Sequence, residues 1–185
     1  NVDSNAIKAY FPFHRVRDGL FKITQDLYGI DYRPINPPAD APVWHEDVEY
    51  FEVVDRGTGN TIGEFYMDMY PRENKFGHAA QWGIVPRKVW GDGSVQKPVA
   101  ALVCNFPKPT DDRPSLLSHD QAKTFFHEFG HCLHTLLTET ETARFSGTSV
   151  ERDFVEAPSQ MFEAWVWSPE TLPLISGHWE TGEPL

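Results

Sequence analysis

The chain has 185 residues, of which 40% are hydrophobic, a size and composition suited to a single folded domain. It carries 16 Lys and Arg residues against 27 Asp and Glu, a net charge of −11, and this acidity argues against a nucleic-acid partner. No apolar run approaches the roughly 20 residues that a membrane span requires, and the N-terminus does not resemble a signal peptide, so we expect no membrane partner.

The first half of the chain predicts a helix, a loop and several strands. Apolar residues share one helical face between residues 14 and 28, so we predict a helix there that ends near Gly29. Four prolines predict a loop over residues 33–43. Alternating apolar residues predict two strands joined as a hairpin, residues 48–55 and 61–68. A third strand is predicted over residues 98–106.

A second helix is predicted between residues 118 and 138. Ser118 is a good N-cap and Gln121 completes a capping box, after which apolar residues recur at helical spacing. Gly130 is the one glycine in this stretch, and a glycine inside a helix costs about 1 kcal/mol relative to alanine. We therefore expect another backbone or a substrate to approach this helix closely at Gly130.

Within this helix, residues 127–131 read His-Glu-Phe-Gly-His, which is the HExxH pattern. Residues four apart lie on one helix face, so His127 and His131 can bind the same zinc ion. Glu128 lies between them and can reach a water molecule on that metal. The alternative is a chance match, but unpaired His and Glu side chains in such apolar surroundings would be costly. The pattern therefore predicts a zinc hydrolase.

A catalytic zinc needs a third protein ligand and one position left open for water. His134 shares the face of the two histidines, but it lies seven residues after His127, about 10 Å along the helix axis. One metal ion cannot easily bind all three histidines. We therefore expect the third ligand to be a carboxylate on another helix.

That helix is predicted over residues 149–165, with Thr148 and Glu151 as a capping box and Pro158 as a kink or break. A short turn at residues 146–147 would let it pack against the HExxH helix and bring Glu156 to the metal. Composition alone leaves the other carboxylates of this segment open as ligands: Glu151, Asp153 and Glu163.

The segments that carry these residues closely resemble the thimet oligopeptidase, neurolysin and saccharolysin family of zinc metallopeptidases. Oligopeptidase A and dipeptidyl carboxypeptidase are its bacterial relatives. The resemblance extends from about residue 7 to the C-terminus. Its most specific segments are residues 69–80, 105–109, 114–120, 126–134, 145–148 and 150–161.

The resemblance implies that His127, His131 and Glu156 bind one zinc ion and that Glu128 is the general base. It also implies an α+β fold with a zincin-like metallopeptidase core, in which the HExxH helix and the helix of the Glu ligand pack with a small β-sheet. The expected substrates are short peptides rather than folded proteins, because the family's site lies at the bottom of a deep channel. Cleavage inside the peptide is the expected specificity. Release of C-terminal dipeptides is the alternative specificity.

By the same resemblance, residues 1–185 are expected to be the central part of a catalytic domain. The family's N-terminal helical part and a later Gly- and Tyr-rich segment, which helps to stabilise the oxyanion, fall outside this sequence. A non-catalytic fragment that binds zinc or peptides is therefore the alternative to an active peptidase. We expect a monomer in the cytoplasm, where Cys104 and Cys132 would stay reduced.

Further residues are candidates for substrate binding or for support of the metal ligands. In zinc peptidases an edge strand beside the metal helix often holds the substrate backbone. We assign that role to residues 99–105, with a purely structural sheet as the alternative. The substrate-binding candidates are Val103, Cys104 and Asn105 in that strand, with His78 and His134 elsewhere. Asp153 and Glu163 are candidates to support the ligands, with surface salt bridges as the alternative role.

Overall fold

The structure is a computed structural model that describes residues 4–185 and shows a mixed α+β fold, as expected. The α-helices in this range are α1 (Ser4–Lys8), α2 (Phe13–Tyr28), α3 (His119–Leu136), α4 (Glu156–Glu163) and α5 (Leu172–Ile175). The strands are β1 (Ile30–Pro34), β2 (Val48–Asp55), β3 (Thr61–Asp68), β4 (Ala80–Val85), β5 (Lys88–Val89), β6 (Val95–Gln96) and β7 (Val99–Val103). None of the helices described is long and apolar enough to cross a membrane.

Five strands form the main sheet in the order β1-β2-β3-β7-β4, and β5 pairs with β6 separately. Every neighbouring pair in the main sheet is antiparallel except β3 with β7. The predicted hairpin of β2 and β3 is confirmed. The loop prediction for residues 33–43 is wrong at its start, because Pro34 ends β1 and is paired with Phe51. A proline is tolerated there because β1 is an edge strand.

The predicted edge strand is not at the edge. β7 pairs with β3 on one side and with β4 on the other, so Val99–Val103 offers no open backbone edge to a substrate. Val103 and Cys104 are buried, and the Asn105 side-chain amide donates to the Phe76 carbonyl oxygen. The prediction that residues 99–105 form an edge strand for the substrate backbone is therefore wrong. Contact of Val103, Cys104 or Asn105 with a substrate stays a prediction. The open edge beside α3 belongs to β4, which sequence periodicity did not reveal.

One face of the sheet packs against α2 and α3 and forms the main core. Aromatic rings dominate this interface: Phe129 of α3 lies 5.6 Å from Phe21 of α2 and 5.9 Å from Phe65 of β3, measured between ring centroids. The opposite face carries a smaller apolar cluster with Tyr50 and Tyr66 at its centre. Since aromatic side chains bury large apolar areas, α3 is held firmly against the sheet over most of its length.

The predicted ends of α2 and α3 are confirmed. Gly29 follows α2 in the left-handed conformation with φ of 65°, and its N–H donates to the Gln25 carbonyl oxygen. Ser118 and Gln121 form both hydrogen bonds of the capping box that begins α3. A Cβ atom at Gly130 would lie 2.7 Å from the Cα atom of Ser159. The expected close approach of another backbone at Gly130 is therefore confirmed.

The helix predicted over residues 149–165 begins later than expected. α4 starts at Glu156, and the segment before it forms turns, so the capping box of Thr148 and Glu151 does not form. Pro158 is the third residue of α4 and lies in its first turn. A proline there removes no helical hydrogen bond, because the first N–H groups of a helix have no partner inside it. The predicted kink at Pro158 is therefore wrong.

Candidate metal centre

Three side chains that could bind a metal converge where α3 meets α4. His127 and His131 lie one turn apart on α3, and Glu156 is the first residue of α4. Glu156 Oε2 lies 3.2 Å from His127 Nε2 and 3.1 Å from His131 Nε2. Two ligands of a tetrahedral zinc ion at ordinary bond lengths are about 3.3 Å apart. Two imidazole nitrogens and a carboxylate with this spacing therefore fit a zinc site.

The packing of α4 on α3 brings the carboxylate to the histidines. Gly130 lets the backbone at Ser159 approach α3 more closely than any side chain would permit. Phe162, one turn later on α4, is buried beside the same glycine. Glu156 lies three residues before Ser159 on α4. The contact of Ser159 with Gly130 therefore fixes the position of Glu156 along the axis of α3. One small residue in α3 therefore sets the position of the third candidate ligand.

Glu163 orients the first histidine. Its Oε1 atom lies 2.7 Å from His127 Nδ1. A hydrogen bond donated from Nδ1 to this carboxylate leaves the lone pair of Nε2 free to face Glu156. Lys123 Nζ lies 3.7 Å from the other oxygen of Glu163. Glu163 therefore occupies the position that an orienting carboxylate takes around a metal-binding histidine.

Ser159 holds the candidate carboxylate ligand. Its side chain is buried, and its Oγ atom lies 2.9 Å from Glu156 Oε2. The hydrogen bond from Ser159 lowers the pKa of Glu156, and the nearby rings of His131 and His127 lower it further. Glu156 is therefore ionised at neutral pH, the state in which a carboxylate binds metals.

Glu128 is half-buried beside the two histidines and next to the open edge of the sheet. Burial raises the pKa of Glu128, and the negative charge of Glu156 adds to this effect. His127 and the backbone of Gln81 in β4 act in the opposite direction. A carboxyl group with a raised pKa returns a proton more readily near neutral pH, as a general base that later acts as an acid must do.

The sequence profile described as Peptidase family M3 matches residues 1–185. The chain belongs to peptidase family M3. It is 49% identical to the thimet-like oligopeptidase of Dictyostelium discoideum, an alignment that covers 97% of this chain and 26% of that protein. It is 47% identical to oligopeptidase A of Escherichia coli (strain K12), covering 100% of this chain and 27% of that protein. These relatives confirm the resemblance found in the sequence.

A third M3 relative is saccharolysin of Saccharomyces cerevisiae, 41% identical over 100% of this chain and 26% of its own length. The chain thus spans about a quarter of the length of the curated relatives that it matches. Identity at this level over nearly the whole chain means that these proteins share the segment that contains α3 and α4.

The other candidate site residues, Asp153, His134 and His78, lie apart from the three converging side chains. Asp153 is exposed in the turns before α4 and has no hydrogen bond or ion pair with the residues described. His134 lies one turn beyond His131, beside Phe154, and burial lowers its pKa. His78 is exposed, with its ring 5.7 Å from the ring of Phe76. Glu163 is therefore the supporting candidate that reaches the histidines, and Asp153 does not reach them.

The sequence analysis did not identify two residues that lie beside the candidate metal centre, Ser159 and Gln81. Ser159 is three residues after Glu156, a helical spacing that could have indicated a hydrogen bond between the two side chains. Gln81 lies in a strand that contains Gly83 and lacks a clear alternation, so nothing local placed it next to Glu128. Only the pairing of β4 with β7 brings Gln81 to the site.

Proposed function

We propose that this chain contains the catalytic centre of a zinc metallopeptidase that hydrolyses peptide bonds in short oligopeptides. The observation that carries the proposal is the convergence of His127, His131 and Glu156 on one point, with Glu128 beside it. The names of the M3 relatives, which are oligopeptidases and saccharolysin, support peptides as the substrate class.

The proposed zinc ligands are the Nε2 atoms of the two histidines and the carboxylate of Glu156. A zinc ion in this position would polarise a peptide carbonyl group and make a water molecule more acidic. Glu163 keeps His127 in the tautomer that has a free lone pair on Nε2. Ser159 keeps Glu156 ionised and directed at the histidines. These contacts prepare the ligands before any metal binds.

In the proposed mechanism, Glu128 is the general base. It accepts a proton from the water that attacks the peptide carbonyl carbon. It then donates this proton to the leaving nitrogen, so that the base is regenerated and the products are a carboxylic acid and an amine. The half-buried position of Glu128 supports this role because burial raises the pKa of its carboxyl group.

We further propose that the substrate backbone binds along β4. β4 is an edge strand of the main sheet, and the backbone of Gln81 lies beside Glu128. An extended peptide could pair with this open edge as an additional strand, with its scissile bond near the metal. This assignment replaces the one made for residues 99–105.

The domain organisation and the finer fold assignment are also proposals. We propose that residues 1–185 form the central part of a catalytic domain with a zincin-like core. The packing of α3 and α4 beside a five-stranded sheet supports this, as does the match of one family profile along the chain. A monomer in the cytoplasm stays a prediction.

A peptide cleavage assay on the full-length protein tests the proposed function. The zinc-loaded protein should cleave a quenched fluorescent peptide, and a zinc chelator should abolish cleavage. Glu128→Gln should retain zinc but lose turnover by about a hundredfold or more, the usual contribution of a general base. Glu170→Gln is a matched control, because Glu170 is exposed and lies outside the site.

The products and the metal content separate the alternatives. Internal fragments would indicate an endopeptidase, whereas stepwise release of C-terminal dipeptides would indicate a dipeptidyl carboxypeptidase. Zinc bound at one ion per chain without turnover would favour the non-catalytic alternative. Full turnover by Glu128→Gln would rule out the role proposed for that residue.

A further inference from the structure

Two aromatic side chains form an exposed patch next to the open edge of the sheet. Phe76 and Trp82 are 50% and 52% exposed, and their rings meet edge to face with centroids 5.7 Å apart. We call this pair the Phe76–Trp82 patch. Contiguous exposed aromatic surface is unfavourable in water and commonly marks a binding site.

The patch is held in place by polar contacts to the backbone on either side of it. The Phe76 carbonyl oxygen accepts a hydrogen bond of 3.0 Å from the Asn105 side chain, just after β7. Lys75, the preceding residue, is almost fully buried and donates to the carbonyl oxygens of Tyr70 and Cys104 at 2.7 and 2.6 Å. Phe76 is therefore anchored to the end of β7, and a ligand would not have to order it first.

The pleat of β4 fixes the direction of Trp82. Trp82 pairs with Ala101, which belongs to the apolar cluster on the sheet face away from α3. Its neighbours Gln81 and Gly83 pair with Leu102 and Ala100, which belong to the core that faces α3. Successive side chains of a strand point to opposite faces. The Trp82 side chain therefore points away from α3, and the Gln81 side chain points towards it.

A peptide strand added to the edge of β4 would follow the same alternation. The peptide residue opposite Trp82 would place its side chain on the outer face, within reach of the indole ring. The residues before and after it would face α3 and the metal centre. β4 contains no charged residue, so the outer position favours an uncharged side chain.

We propose that the Phe76–Trp82 patch is a subsite for one aromatic or large apolar side chain of the bound peptide. This inference rests on the proposed function and names a substrate preference of the same site. The occupant is the peptide because the patch is continuous with the only open main-chain edge beside α3 within the described residues. Trp82 is then a specificity-determining residue, and it selects a single position of the substrate.

Equilibrium binding to the full-length, zinc-loaded protein tests the subsite. The Glu128→Gln background prevents cleavage, and the probes are labelled peptides in which one Phe is moved through an otherwise Ala- and Ser-containing sequence. We expect Phe at one position to bind about tenfold more tightly than Ala there, the size of effect expected for a stacked and partly buried ring. Fluorescence anisotropy measures the affinities.

Variants at Trp82 assign that preference to the patch. Trp82→Ala should reduce the preference to about twofold or less, whereas Trp82→Phe should keep most of it. Trp90→Ala is the matched control, because Trp90 is similarly exposed but lies outside β4 and the patch. A thermal unfolding curve for each variant checks that the fold is retained, as expected for exposed side chains.

The proposal is overturned if Trp82→Ala leaves the preference unchanged or weakens all peptides equally. It is also overturned if Trp82→Ala changes only the oligomeric state, since the patch would then be a contact between copies of the chain. A parallel cleavage assay separates the two proposals. Cleavage without a Trp82-dependent preference removes the subsite alone, whereas no cleavage removes the catalytic proposal and leaves the binding series to decide the subsite.

Discussion

His127 is oriented by a carboxylate from a different helix. Its Nδ1 atom contacts Glu163 at 2.7 Å, and its Nε2 atom faces Glu156 at 3.2 Å. The two ring nitrogens thus have separate partners, and the hydrogen bond on Nδ1 determines that Nε2 is the one left for a metal. The same hydrogen bond makes Nε2 a stronger electron donor, so Glu163 should contribute to metal affinity without touching the metal.

We therefore expect Glu163→Gln to weaken zinc binding by about tenfold or more, because the amide orients His127 less strongly and carries no negative charge. Competition with a chromophoric chelator measures the affinity. Asp153→Asn is the control, since Asp153 is exposed and has no polar partner among the residues described. Equal effects of the two variants would show that the contact between Glu163 and His127 does not matter for binding.

At the residue scale, spacing alone indicated part of the site. His127, Glu128 and His131 follow from one helix turn, which is local geometry. Glu156 could not be separated from the other carboxylates of its segment by spacing, and the resemblance to the family selected it. Ser159 was missed although it lies three residues after Glu156, because a serine at this spacing can equally bond only to the helix backbone.

At the scale of elements, the contact of α3 with α4 depends on one glycine. A Cβ atom at Gly130 would lie 2.7 Å from Ser159 Cα and 3.3 Å from the Phe162 ring. The first neighbour is backbone and the second is a buried side chain, so neither can move aside easily. Glycine at position 130 lowers the stability of the helix relative to alanine. The close packing of α4, which no larger residue permits, offsets this loss.

Gly130→Ala should lower the free energy of unfolding by about 1–3 kcal/mol, the usual cost of overpacking. The clash should exceed the gain of about 1 kcal/mol that alanine gives in a helix interior. Gly91→Ala is the control, because no atom lies within 4 Å of a Cβ at Gly91. Chemical denaturation measures both variants, and an unchanged or higher stability of Gly130→Ala would contradict the packing argument.

Sequence patterns could not predict the order of the strands in the sheet. The hairpin of β2 and β3 was predicted with correct bounds because its alternation and its turn residues are adjacent in the chain. β4 lacks such a pattern, and its position follows only from pairing with β7, a strand that begins 14 residues after β4 ends. Which strand lies at the edge depends on pairing between separate segments. Once this pairing is known, the proposed peptide-binding edge is β4 instead of residues 99–105.

At the scale of the whole molecule, a buried ion-pair network ties the sheet to the segments around it. The Asp68 side chain, 3% exposed at the end of β3, accepts two hydrogen bonds of 2.8 Å from Arg72. Lys75 and Trp44 each approach the same carboxylate to 2.8 Å. Burial alone would raise the pKa of Asp68, but these hydrogen bonds outweigh it and lower the pKa to about 2.

This low pKa predicts a specific loss of stability in acid. The folded-state pKa of Asp68 lies below its ordinary value of 3.8, so its contribution is fully present above about pH 4 and is lost as the pH falls towards 2. The contribution should be about 2 kcal/mol. The stability difference between the wild type and Asp68→Asn should therefore shrink as the pH falls through this range.

Chemical denaturation over a series of pH values measures this difference. Asp112→Asn is the control, because Asp112 is exposed and outside the network, and its stability difference should change little with pH. A difference for Asp68→Asn that does not depend on pH would mean that the network does not hold the carboxylate in its ionised form.

The sequence by itself determined the features that depend on neighbouring residues. These are the HExxH helix with its capping box, the β2–β3 hairpin, and the type of chemistry that two histidines and a glutamate on one helix face can perform. Tertiary structure decided which carboxylates meet His127, where α4 begins and which strand lies open beside Glu128. The physical reason is that helix and turn geometry is fixed by local backbone preferences, whereas helix contacts and strand order depend on packing between segments far apart in the chain.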